Sequence, residues 1–133
     1  MIRHAAPVPL WLRLAGLILV ACLFIWIPFE DTHIQWVLIL SVAICSWFAI
    51  RILLNLSAAK WQKVALHSLV GGLAGLAVAP LAFLLMAIKS GLHGHGTPDF
   101  TAQQIQTVFG IELYLAISGL LIGLGWGLWR AIK

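Results

Sequence analysis

Four runs of apolar residues, each long enough to cross a lipid bilayer, constrain this chain more than any other feature of its sequence. We place them at about 10–28, 34–56, 64–89 and 108–129. A helix needs about 20 apolar residues to cross the hydrocarbon core, and it bonds its own backbone polar groups as lipid requires. The sequence therefore predicts an all-α integral membrane protein of one polytopic domain, 1–133. We expect four transmembrane helices in an up-down bundle of two antiparallel hairpins.

The composition supports a membrane domain and argues against a domain that folds in water. Hydrophobic residues make up 62% of the chain, charged residues make up 9%, and the mean hydropathy is +1.05. About a quarter of the residues of a soluble domain are charged, so this chain lacks the polar surface of a water-soluble globule. Its net charge of +4 is spread singly over the ends of the apolar runs, which argues against a nucleic-acid partner.

The basic residues predict the orientation of the chain, because cytoplasmic loops of membrane proteins are enriched in lysine and arginine. One side of the predicted bundle collects Arg3, Arg13, Arg51, Lys60, Lys63, Arg130 and Lys133. The other side has Lys89, together with the acidic residues Glu30, Asp31 and Asp99. We therefore expect a multi-pass protein of a prokaryotic-type inner membrane, with both termini in the cytoplasm.

The tryptophans support the same orientation, because tryptophan concentrates at the two membrane interfaces. Trp26 and Trp36 fall at the predicted outer interface. The inner interface collects Trp11, Trp61, Trp126 and Trp129. Trp47 is the exception, since it lies deeper in the second run, where it faces a partner helix or lipid.

Small residues recur at every fourth position in the last two runs. They are Gly71, Gly75 and Ala79 in the third run and Gly119, Gly123 and Gly127 in the fourth. In an antiparallel hairpin, residues at equal depth have a constant sum of numbers, and the pairs 71 and 127, 75 and 123, and 79 and 119 share one sum. Helices in lipid associate through close packing of small residues, so we predict that the third and fourth helices approach backbone to backbone. The alternative is that one of the two grooves docks another protein.

A second hypothesis, that the chain is a transporter or channel, rests on Glu112, Lys89 and Pro80. Glu112 is the acidic residue within a predicted span, and intramembrane carboxylates are costly and often functional. Lys89 is predicted to lie within about one turn of the same level, so the alternatives to a functional Glu112 are an ion pair with Lys89 and contact with headgroup water. Pro80 removes a backbone hydrogen bond and predicts a kink in the third helix. With Glu112 carrying a proton and Pro80 as a hinge, the chain would be a small homo-oligomeric proton-coupled transporter or channel.

Histidines and a carboxylate on the predicted outer side form a candidate metal site. They are His93, His95, His33 and Asp99. Imidazole and carboxylate ligands suit Zn²⁺ or Cu²⁺, and the glycines on both sides of His95 let the loop wrap an ion. The alternative is a polar hairpin loop that binds no metal. This pattern gives a third hypothesis, an outer-face metal-binding or sensor protein.

The remaining features favour a protein that acts through packing. The chain contains no GxSxG, P-loop, HExxH or CxxC motif, so no catalytic residue is assigned and we do not expect an enzyme. Its short loops, bulky lateral surfaces and small-residue grooves favour a non-catalytic accessory or structural subunit of a larger energy-converting or transport assembly. Its partners would be other membrane subunits and the bilayer. No cofactor is required, although bound lipid or pigment contact fits the bulky first two spans.

Overall fold

The computed structural model describes residues 8–29, 33–55, 59–93 and 99–132, and these residues form helices without any strand. The helices are α1 (Leu10–Trp26), α2 (Ile34–Asn55), α3 (Lys60–Leu76), α4 (Val78–His93), α5 (Ala102–Gly110) and α6 (Glu112–Ile132). Three helical stretches within these ranges are long and apolar enough to cross a membrane, namely Ile34–Asn55, Trp61–Leu92 and Ala102–Ile132, and Leu10–Trp26 is a shorter apolar helix. The prediction of an all-helical chain is confirmed over this part, and the apolar helices indicate a membrane-embedded protein.

The helical stretch that contains α3 and α4 is interrupted at Ala77. The Ala77 N–H still donates to the Leu73 carbonyl at 3.0 Å, and the Ala77 carbonyl accepts from the Leu81 N–H at 3.1 Å. Pro80 has no N–H to donate to the Leu76 carbonyl, which accounts for a loss of regular helix here. The sequence predicted a kink at Pro80, and the interruption lies three residues earlier, in the turn that the proline ring would crowd.

The stretch that contains α5 and α6 is interrupted at Ile111, where φ is −93° and ψ is −3°. Gly110 precedes this residue, and glycine weakens a helix because its backbone is the most free to leave the helical conformation. The start of α5 is well defined, since the Thr101 hydroxyl accepts from the Gln104 N–H at 3.2 Å and the Gln104 side chain accepts from the Thr101 N–H at 2.8 Å. This capping box starts the helix several residues before the apolar run.

α1 and α2 contact each other through Trp47. The indole N–H of Trp47 donates to the Leu12 carbonyl at 2.8 Å, and Leu12 is 1% exposed. Gly16 leaves room for the ring, because a Cβ added there would lie 2.9 Å from Trp47 Cζ2. The sequence left open whether Trp47 faces a partner helix or lipid. In the structure it faces a partner helix, α1.

The largest set of buried apolar side chains, here called the bulky cluster, joins α1, α2, α4 and α5. It consists of Trp26, Val37, Leu40, Ala79, Ala82, Leu85, Met86, Phe100 and Val108. Most of its members are large, so the helices around it are held apart by side chains. A second packing region, between α3 and α6, is built differently and is described next.

Candidate functional sites

The contact between α3 and α6, here called the glycine seam, is the most extensive between any two helices of the described chain. Its glycines are Gly71, Gly75, Gly119, Gly123 and Gly127. A Cβ added to Gly71 would fall on the Gly119 carbonyl oxygen, and one added to Gly123 would fall on the His67 carbonyl oxygen. Both neighbours are backbone atoms of a packed helix, which cannot move aside as a side chain can. The seam therefore leaves no room for any larger residue at these positions.

The register of the seam differs from the one that the numbering pattern predicted. That pattern placed Gly71 level with Gly127, but Gly71 meets Gly119 in the structure, eight positions earlier. Gly127 lies against Val64 instead, since a Cβ added to Gly127 would be 2.9 Å from Val64 Cα. The prediction of equal depth was wrong by about two helical turns. Small residues at every fourth position match equally well after a shift by whole turns, so their spacing alone cannot select the register.

Ala79 lies outside the seam. The sequence predicted that it would face Gly119, but Gly119 is closest to Gly71 and Gly75 on α3. Ala79 is fully buried in the bulky cluster. The reason is the interruption at Ala77, since Ala79 belongs to α4, which packs mainly against α2 rather than against α6.

Lys89 is buried in the structure and lies against the end of α1. Its side chain is 0% exposed, and its Nζ lies 3.4 Å from the Trp26 carbonyl and 4.1 Å from the centre of the Trp26 ring. Trp26 is the last residue of α1, and the carbonyls at the C-terminal end of a helix attract a cation. The ring face adds a cation–π interaction. Lys89 therefore ties α4 to α1, a contact that the sequence did not predict.

Glu112 begins α6 and lies within the first turn of that helix. A carboxylate is favoured there by the positive end of the helix dipole. Its side chain is half-buried, and the described residues provide it with no hydrogen bond or ion pair. The structure does not bring it to Lys89, which lies against Trp26. Glu112 is four residues past Val108, where the fourth apolar run begins, so it lies about 6 Å into the apolar part of the chain.

The candidate metal ligands are only partly within the described structure. His33 is exposed and Asp99 is half-buried, and the Asp99 N–H donates to the Ser90 hydroxyl at 3.3 Å. His95 and the side chain of His93 lie outside the described residues. Among the residues described, no group of three histidines, cysteines or carboxylates could hold a metal ion. The outer-face metal site therefore stays a prediction.

A lateral groove of about 460 Å³ lies between α2 and the glycine seam. Trp11, Trp126 and Arg130 line one end of it, and the Arg130 guanidinium lies 5.9 Å from the centre of the Trp126 ring. The lining is almost wholly apolar apart from His67, Arg130 and two serines. No sequence pattern indicated this groove, because it is formed by helices that are distant in the chain and depends on their register.

His67 is a buried polar residue of this groove. It is 2% exposed, and its Nδ1 lies 2.6 Å from the Lys63 carbonyl. Three buried polar atoms of the described chain have no hydrogen-bond partner, namely Trp26 Nε1, Ser41 Oγ and His67 Nε2. Of these three residues, His67 alone lines the groove.

Comparison with known proteins adds no family to this description. No family model matches the chain, and no curated protein or solved structure matches it. The class that the fold defines is an all-helical, membrane-embedded protein, and any function has to be argued from its own surfaces.

Proposed function

We propose that this chain is a small non-catalytic accessory or structural subunit of a larger membrane complex, and that it acts by packing against helices of other subunits. In this proposal it crosses a prokaryotic-type inner membrane four times, as two antiparallel hairpins with both termini cytoplasmic. α1 has 17 residues and is about 25 Å long. That length is slightly below the hydrocarbon thickness of about 30 Å, so α1 would cross with little tilt.

The surface of α6 opposite the glycine seam is the observation that carries this proposal. We call it the outward face, and it consists of Tyr114, Leu121 and Gly125. Gly125 is two residues from Gly123 and from Gly127, which places it on the opposite side of a helix with 3.6 residues per turn. A Cβ added to Gly125 would meet nothing within 4 Å, and Tyr114 is 71% exposed. Lipid tails cannot bond the Tyr114 hydroxyl, whereas a neighbouring helix can bond it and pack closely at the glycine.

Two further features support a partner beside α6. Only 11% of the most apolar part of Ala102–Ile132 is buried inside the chain, against 39% for Trp61–Leu92, so the stretch that contains α6 is the least covered of the three long apolar stretches. Glu112 has no hydrogen bond or ion pair with the described residues, and a carboxylate within an apolar span is costly unless it is paired. A donor from another subunit would satisfy it.

The proposal is tested by purifying the tagged chain from its native membrane in a mild detergent. We expect other membrane proteins to co-purify in fixed proportion with the wild type. Gly125→Leu should lose them, because the added side chain fills the space for the partner helix. Ala65→Leu is the matched control, since Ala65 is also exposed and lies at a similar level on α3. Recovery of the wild type alone, or only as a homodimer, would contradict the proposal.

The second candidate is a homo-oligomeric proton-coupled transporter or channel. It is favoured by the position of Glu112 directly after the interruption at Ile111, while the other long helical stretch is interrupted at Ala77, three residues before Pro80. In this candidate, the two helical stretches bend at these interruptions, next to the Glu112 carboxylate. Substrate-driven proton flux in liposomes that is unchanged by Glu112→Gln would exclude this candidate.

A further inference from the structure

The lateral groove has the volume of a ligand site. Its volume of about 460 Å³ lies within the range of about 300–1,000 Å³ that is common for small-molecule pockets. Ala49 and Leu53 of α2 line one side, and Gly71 and Gly75 of the seam line the other. The lining as a whole is almost wholly apolar. The groove therefore suits a long hydrocarbon chain that lies parallel to the helices.

His67 lines this groove and carries one hydrogen-bond acceptor that has no partner. Its Nδ1 lies 2.6 Å from the Lys63 carbonyl oxygen, which only accepts, so Nδ1 carries the proton and donates. In the neutral ring, Nε2 is then an acceptor, and it is buried without a hydrogen-bond partner. A buried acceptor that lacks a partner is unfavourable, so a ligand that donates to Nε2 would gain an interaction that the empty chain lacks.

Water is a poor occupant of this position. A buried water molecule usually makes about three hydrogen bonds to polar groups, whereas the lining is almost wholly apolar apart from His67, Arg130 and two serines. A hydrocarbon chain that ends in a single hydroxyl matches both requirements. Its chain fits the apolar lining, and its hydroxyl donates one hydrogen bond.

We propose that the groove binds a lipid alcohol, a molecule with one long hydrocarbon chain and a hydroxyl at its polar end. The hydroxyl donates to His67 Nε2, and the chain runs past Gly71 and Gly75 towards the middle of the membrane. The polar end then lies near the inner interface, where Trp126 and Arg130 line the groove. Nε2 is covered in the empty groove, so binding parts the side chains over the ring. This site is independent of the outward face of α6 and of any partner subunit.

The test is competition binding with two ligands that share one hydrocarbon chain, an alcohol and its methyl ether. Purified full-length protein in detergent micelles is saturated with tritiated geranylgeraniol, and unlabelled geranylgeraniol or geranylgeranyl methyl ether is added. The ether keeps the chain and cannot donate a hydrogen bond. We expect it to compete about fivefold more weakly than the alcohol, as the loss of one net hydrogen bond predicts.

Three variants locate the binding determinant. His67→Phe keeps a ring and removes the acceptor, so it should bind the alcohol as weakly as the ether. Ala74→Phe places a ring in the groove, which Ala74 lines, and should abolish binding of both ligands. His33→Phe, an exposed histidine outside the groove, should match the wild type.

Saturable binding with the alcohol preferred, and with this preference lost only in His67→Phe and Ala74→Phe, would support the proposal. Equal competition by the ether in the wild type would overturn it, because the groove would then bind any hydrocarbon chain. Absence of saturable binding to the wild type would also overturn it, whatever the variants do. The comparison of alcohol with ether in the wild type remains decisive if His67→Phe does not fold.

Discussion

The glycine seam and the bulky cluster differ in what lies between their helices. In the seam, α3 and α6 are so close that a Cβ at Gly71 would fall on a backbone carbonyl of the other helix. In the bulky cluster, side chains such as Met86, Phe100 and Val108 fill the space between helices. The seam depends on the absence of side-chain atoms, and the cluster depends on their volume. The two regions should therefore respond in opposite ways to added and removed carbon atoms.

The largest expected effect is that of adding atoms to the seam. Gly71→Leu places a side chain on the Gly119 carbonyl, and we expect it to destabilise the chain by about 3 kcal/mol or more, at the upper end of overpacking costs. Thermal unfolding in detergent, followed by size-exclusion chromatography, measures this loss. Gly91→Leu is the control, since a Cβ at Gly91 meets nothing within 4 Å. Equal stability of the two variants would show that α3 and α6 are not packed in this way.

Removing atoms from the bulky cluster should come next. Met86 is 2% exposed, and Met86→Ala should lower the free energy of unfolding by about 2–3 kcal/mol through the cavity it leaves. Met86→Leu conserves volume and should cost less than about 1.5 kcal/mol. The same unfolding assay compares the two variants. If alanine is tolerated as well as leucine, side-chain volume is not what holds this cluster together.

The contact between Lys89 and Trp26 should contribute a smaller amount. We expect Lys89→Met and Trp26→Leu each to destabilise the chain and to be coupled by about 0.5–2 kcal/mol, the range of a desolvated cation–π interaction. A double-mutant cycle of unfolding free energies measures the coupling. Strictly additive effects would mean that the two side chains do not interact, although each is buried.

The smallest effect is expected at the contact between α1 and α2. Trp47→Phe keeps an aromatic ring beside Gly16 and removes the N–H that donates to the Leu12 carbonyl. The expected loss is about 1 kcal/mol, the net value of one hydrogen bond. Trp36→Phe is the matched control, because Trp36 is 51% exposed. The same loss in both variants would argue that the Leu12 hydrogen bond adds nothing.

The helical class and the glycines of the seam could be predicted because each depends on local pattern, whereas Ala79, which the same pattern included, lies in the bulky cluster. Apolar runs indicate helices, and glycines four apart mark one face. The register could not be predicted, since a repeat of four residues matches again after every turn, and Gly71 meets Gly119 where Gly127 was expected. The partner of Lys89 was also missed. It is the final carbonyl and ring of α1, and no spacing in the sequence relates Lys89 to Trp26.

The candidate sites divide in the same way. Glu112 could be selected from the sequence because a carboxylate within an apolar run is visible without any structure. The lateral groove and the acceptor on His67 could not, because they arise where α2 meets the α3–α6 seam. The outward face of α6 could be predicted only in part. Its residues can be read from the sequence, but their exposure depends on which side of α6 forms the seam.

In vivo photo-crosslinking from the outward face tests the proposed role most directly. A benzoylphenylalanine at Leu121, which is 58% exposed, should give on irradiation one adduct with a different membrane protein, identified by mass spectrometry. The same probe at Leu69, which is 57% exposed on α3, should give none or far less. A Leu121 adduct only with lipid or with a second copy of this chain would contradict a role as a subunit of a larger complex.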